Sequence, residues 1–121
     1  MKDLIIWGNH SNTQYPDTHF ASVDGTPLRK AAQEHTEYFD TEFLSSVQSR
    51  GAAIIGVCGK SSSFSAANAA CDHVHDWWFG TQDGKVVSMA VISDGNTYGV
   101  PEGLMYSFPL LIDSNGEWSI K

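Results

Sequence analysis

Val86-Val87-Ser88-Met89-Ala90-Val91-Ile92, then Asp94-Gly95-Asn96, then the run from Leu104 to Ile112: the reading of this stretch decides the fold. Its first segment is short, apolar and rich in β-branched residues, which is the pattern of a strand. Asp-Gly-Asn is a strong turn signal, and the second apolar run reads as the returning strand. Ser114-Asn115-Gly116 turns the chain again, into a third strand around Trp118 to Ile120. Upstream the period changes. Phe43, Leu44, Val47, Ile54, Ile55 and Cys58 recur at helical spacing, with Asp40 in the place of an N-cap. Gly51 interrupts that pattern and is expected to mark a bend or a close approach by another group. Phe64, Ala67, Cys71, Val74 and Trp78 step by three or four over residues 62–78, and Gly80 follows as the terminating C′ residue. Two helices packed on a small antiparallel sheet make an α+β unit.

The chain opens on Leu4 to Trp7, read as a buried strand, and Gly8-Asn9 then hands over to a polar loop with His10 at its tip. Histidine is the side chain best suited to exchange a proton near neutral pH. Residues 11–36 carry the turn formers Pro16, Asp24-Gly25 and Pro27, so loops are expected there, with one short strand near Phe20 to Val23.

At 121 residues and 41% hydrophobic, the chain is sized and composed as one folded domain. A formal net charge of −7 and a pI near 4.9 argue against a nucleic-acid partner or an anionic membrane surface, both of which need a basic face. Two cysteines, Cys58 and Cys71, do not make a disulfide framework. The first apolar run is too short for a signal-peptide core, and none is long enough to span a bilayer, so a cytoplasmic chain is expected. Cys71, His73 and His75 do not form a metal site: on a helix Cys71 and His75 share a face while His73 points away. Gly59-Lys60-Ser61 imitates a phosphate loop, but Ile54 stands where the pattern needs glycine. Asp17, Asp72 and Asp76 read as solvated, Arg50 as a solvated ion-pair former, and Trp77 and Trp78 as core or interface residues.

Several separated blocks, in order, resemble the cytosolic-type malate dehydrogenases. They are Trp7-Gly8-Asn9-His10-Ser11 through Asp17, Val47-Gln48-Ser49-Arg50-Gly51-Ala52-Ala53-Ile54-Ile55, Ser61-Ser62 with Ser65-Ala66-Ala67, and Cys71-Asp72-His73-Val74 with Trp78-Phe79-Gly80-Thr81. The densest runs from Val87 through Ser93-Asp94-Gly95-Asn96-Thr97-Tyr98-Gly99-Val100-Pro101 to Tyr106-Ser107-Phe108-Pro109. Lys60 and His75 depart from the family's usual residues.

The resemblance implies the fold of the lactate/malate dehydrogenase C-terminal domain. Residues 1–121 would then be a truncated substrate-binding and catalytic domain, with the amino-terminal Rossmann NAD domain absent. It further implies an NAD-dependent oxidoreductase that interconverts malate and oxaloacetate and works as a homodimer when whole. His10 falls on the catalytic acid/base position, which accepts the hydroxyl proton of malate or donates one to oxaloacetate. Ser62 matches a position at the opening of the second helix that faces the substrate and nicotinamide end, and Gly51 one whose backbone lies near the substrate. The family's orienting aspartate and its carboxylate-clamping arginines belong to the other half. This chain alone is expected to be inactive. The alternative is a non-enzymatic truncated paralogue that serves as an interaction module.

Overall fold

Phe108, Leu110 and Ile112 are almost fully buried along one strand, and the domain is organised around that strand. The structure, a computed structural model, describes the backbone of residues 1–121 and every side chain except that of Asp83. The central strand β6 (Met105–Ile112) pairs antiparallel with β5 (Val87–Ile92) on one side and with β7 (Trp118–Ile120) on the other. Met89 and Val91 of β5 join Phe108, Leu110 and Ile112 in the core, with Trp7, Val87, Val100, Tyr106 and Ile120 packed around them. The three-strand reading of the last third is borne out within a residue or so at each end.

The turn between β5 and β6 is a closed hydrogen-bond system. Ser93 is fully buried; its hydroxyl donates to the Pro101 carbonyl at 2.6 Å and accepts from Leu104 N–H at 3.0 Å. The Asn96 amide donates to the carbonyls of Ser93 and Val100, and its oxygen accepts from the N–H groups of Tyr98 and Val100. The block of closest resemblance is therefore a scaffold that seats Tyr98 against the core. Ser93→Ala is expected to lower stability by about 1–3 kcal/mol, because it removes a fully buried hydroxyl that bonds both the Pro101 carbonyl and the Leu104 N–H. Urea denaturation checks this.

At the start of the chain, β1 (Ile5–Trp7) pairs antiparallel with β2 (Tyr15–Asp17), and β3 (Ser22–Val23) pairs with β4 (Thr26–Pro27). β3 falls within the strand expected near Phe20 to Val23; β2 falls inside the expected loop. Pro16 disguised it, since proline has no ladder donor and is placed at strand edges. Two short helices follow, α1 (Leu28–Ala31) and α2 (Thr36–Asp40), in a region expected to be irregular up to residue 36.

α3 (Glu42–Cys58) and α4 (Ser63–Phe79) are the two long helices the spacing predicts. Three details differ from expectation. Asp40 is the last residue of α2 and not an N-cap; Arg29 holds its carboxylate through both terminal nitrogens, and Thr41 takes the capping position. Gly51 does not interrupt α3, and a Cβ placed there would meet no atom within 4 Å. Gly80 ends α4 as expected, but at φ 81° and ψ 161°, outside the left-handed helical region of a C′ glycine. The α+β class holds, yet α3 and α4 contain no buried residue. α4 meets the sheet at its C-terminal end, where Thr81 N–H and hydroxyl donate to the Ile112 carbonyl. Trp77 and Trp78 are 58% and 75% exposed, so neither is a core residue of this chain.

Candidate active site

β1 is bound to the main sheet mostly by side chains. Ile6 N–H donates to the Ser88 hydroxyl at 2.9 Å, and the Ser107 hydroxyl donates to the Ile6 carbonyl at 2.6 Å. One backbone bridge, Gly8 to Ser107, completes the attachment just before the chain leaves the sheet. Gly8 has φ 85°, a conformation that favours glycine, and it lets the strand break into the loop. The loop closes on itself: Ser11 N–H donates to the Asn9 carbonyl at 2.8 Å, and Gln14 N–H donates to the Ser11 carbonyl at 3.1 Å. Its outgoing end is tied to α3, because the Gln48 side-chain amide donates to the Gln14 carbonyl at 2.8 Å.

His10 stands exposed on this loop, and among the described residues its imidazole has no hydrogen-bond partner. Gly51 lies one helical turn beyond Gln48, on the adjoining part of the same face of α3. The loop of His10 and the helix face of Gly51 are thus joined through Gln14 and Gln48. Ser62 is elsewhere. It sits past the C-terminal end of α3, at the N-cap of α4, with no side-chain capping bond. Its carbonyl accepts from the Ser65 hydroxyl and the Ala66 N–H, while its own hydroxyl makes no capping bond to the helix.

The reading of Asp17 as solvated is corrected. Asp17 is 9% exposed, and its carboxylate accepts from the Trp7 indole N–H at 3.1 Å and from the His19 N–H at 2.9 Å. His19 Nδ1 lies 2.7 Å from the same carboxylate. Burial pushes the carboxyl pKa up, but these hydrogen bonds and the charge of His19 outweigh it and hold the pKa below the usual value. Asp76 is corrected too: it is partly buried and paired with Lys85 at 2.9 Å. Asp72 is exposed, as read, and accepts from Asn68. Sequence reasoning also passed over Gln48, Ser88 and Ser107 as supports of the loop. Tyr15-Pro16-Asp17 lies within the motif, but side-chain burial has no signature at that spacing.

A dinucleotide does not fit this chain by itself. Every strand pairing among the described residues is antiparallel, whereas a pyrophosphate crevice needs parallel strands and a glycine-rich turn into a helix. No G-x-G-x-x-G occurs in the sequence. What the loop offers is one exposed imidazole on a braced support, suited to proton exchange with a ligand held from outside.

Comparison with known proteins identifies the family of this fold. The profile described as lactate/malate dehydrogenase, alpha/beta C-terminal domain, matches residues 1–121. The chain is 51% identical over 121 residues to cytoplasmic malate dehydrogenase of Homo sapiens, covering 98% of this chain and 36% of that protein. It is 51% identical over 123 residues to malate dehydrogenase 1, cytoplasmic, of Arabidopsis thaliana, covering 99% of this chain and 36% of that protein. Malate dehydrogenase from Naegleria fowleri superposes with a TM-score of 0.85 at 43% identity, over 99% of this chain and 36% of that one. Lactate dehydrogenase of Trichomonas vaginalis, solved with NADH and oxamate, superposes with a TM-score of 0.88 at 29% identity, over 99% of this chain and 37% of that one. The chain thus spans about 36% of the length of the curated relatives it matches. Its sheet and its two long helices lie within the matched residues, and this chain belongs to the lactate/malate dehydrogenase alpha/beta C-terminal domain family.

Proposed function

We propose that this chain is the substrate-binding half of a cytoplasmic, NAD-dependent malate dehydrogenase in which His10 is the general acid/base. The observation that carries the reading is the braced loop itself, with His10 alone at its tip, in a chain 51% identical over 98% of its length to a cytoplasmic malate dehydrogenase. In this reading His10 takes the hydroxyl proton of malate, or returns one to the carbonyl oxygen of oxaloacetate. Gly51 and Ser62 border the substrate, Gly51 through its backbone on the α3 face joined to the loop and Ser62 through its uncommitted hydroxyl. NAD and the groups that clamp the two carboxylates are assigned to an amino-terminal nucleotide-binding half.

Ile55, Val57, Phe64, Val74, Trp77 and Trp78 are between 49% and 92% exposed on α3 and α4. Such a surface calls for cover. In the proposed enzyme it packs on the nucleotide-binding half and on a second subunit of a homodimer.

Calorimetric titration tests the division of labour. The 121-residue chain is expected to show no NADH binding at micromolar concentration and no malate oxidation. The same chain joined to the nucleotide-binding half of a cytoplasmic malate dehydrogenase is expected to show both. Stoichiometric NADH binding by the chain alone overturns the reading. A joined form that folds and binds NADH yet turns over no malate favours the interaction module instead.

A further inference from the structure

We propose that Asp17 is a positioning residue for the His10 loop, acting through the indole of Trp7. The inference rests on His10 as the acid/base and adds a residue to that site. Trp7 is the last residue of β1, so the loop departs directly from its backbone. Its side chain is held on three sides. The indole N–H donates to Asp17 Oδ2 at 3.1 Å, the ring meets Tyr98 edge-on at 4.9 Å, and Phe108 lies 6.2 Å away at 82°.

The contact with Asp17 differs in kind from the other two. In the β1–β2 ladder Trp7 stands opposite Tyr15 and Asp17 stands opposite Ile5. Trp7 and Asp17 are therefore diagonal neighbours on one face of the hairpin, separated by the side-chain period of two. A hydrogen bond on that diagonal fixes how the two strands are twisted and slid against each other. The segment between those strands is the loop that carries His10. The ring contacts with Tyr98 and Phe108 hold the indole to the core but do not tie β1 to β2.

Asp17 is braced for this task. His19 donates its backbone N–H to Oδ1 and places Nδ1 2.7 Å from that oxygen, which leaves Oδ2 to the indole. An asparagine in its place presents an acceptor on one side and donors on the other, so it cannot serve both Trp7 and His19. Trp7→Phe keeps the ring and removes the hydrogen bond. General acid/base catalysis is steep in geometry, so a small drift of the imidazole registers in turnover.

The test uses the chain joined to the nucleotide-binding half. Asp17→Asn and Trp7→Phe are each expected to lower kcat about tenfold, with KM for oxaloacetate and NADH changed less than about twofold. The double variant is expected to fall no further than the worse single variant, because Trp7→Phe removes a bond that Asp17→Asn already weakens. In the 121-residue chain, amide ¹⁵N relaxation is expected to show Asn9 to Thr13 more mobile in both variants. Unchanged kcat in both single variants overturns the proposal, and so do losses that multiply in the double variant. Failure of both single variants to fold also overturns it, since the pair would then hold the domain and not the loop. Full activity in His10→Asn would remove the catalytic reading alone. The relaxation result would still decide whether Asp17 orders the loop.

Discussion

Replacing His10 with asparagine, in the chain joined to a nucleotide-binding half, is expected to lower malate oxidation and oxaloacetate reduction by about 10²–10⁴-fold. The amide keeps a polar group of similar reach but cannot take up and release a proton in a cycle. Nothing in the structure makes the substitution costly to the fold: the residue is exposed, and among the described residues its ring has no hydrogen-bond partner. NADH binding and the melting temperature should therefore stay near those of the parent, and the loss should lie in kcat. His19 supplies the contrast. Its Nδ1 lies 2.7 Å from the Asp17 carboxylate, and on local geometry alone it would be the stronger choice for an acid/base. Its carboxylate, however, is spent on the Trp7 indole and on the His19 backbone, which is the work of a structural brace. His19→Asn should then keep most of the activity that His10→Asn loses. The reverse result, an active His10→Asn with an inactive His19→Asn, would move the chemistry to the 17–19 pair.

That contrast shows what the sequence could and could not say. Period and turn chemistry placed β5, β6 and β7, because a core-facing alternation beside Asp-Gly-Asn and Ser-Asn-Gly leaves little other choice. The same logic placed α3 and α4. It failed where the deciding partner was remote in sequence. β2 exists because β1 is there to pair with it, and its own three residues include a proline. Asp40 has the chemistry of a cap but is claimed by Arg29, eleven residues back along the chain. Asp17 looks like any loop carboxylate until Trp7 and His19 close over it. Ser88 and Ser107, which hold β1 from either side, lie 82 and 101 residues from the backbone group they bind. The catalytic candidate was legible through its motif. Its supports were not, because a support is defined by a contact and not by a pattern.

Gly80 carries the largest expected effect on stability, and Gly51 a smaller one of opposite sign. Gly80→Ala is expected to destabilise the chain by roughly 3–5 kcal/mol, the sum of backbone strain and overpacking. At φ 81° and ψ 161° the residue occupies a conformation that is nearly exclusive to glycine. A Cβ there would also sit 2.6 Å from the Asp113 carbonyl oxygen and 3.1 Å from that of Ile112. Neither carbonyl is free to retreat. Asp113 accepts from Gly116 N–H at 3.1 Å and donates its own N–H to Glu117 at 2.9 Å, while the Ile112 carbonyl holds Thr81 N–H at 2.8 Å. Moving them would open the β6–β7 turn and release the end of α4 that meets the sheet. Gly51→Ala should do the opposite and stabilise by about 0.5–1 kcal/mol, since it lies inside α3 with open space around it. Urea unfolding of the two variants beside the parent checks both signs. A Gly80→Ala chain as stable as the parent would show that the junction between α4 and the sheet is looser than its hydrogen bonds indicate. Any loss of turnover in Gly51→Ala, measured in the joined form that it stabilises, would then be a loss at the substrate and not in the fold.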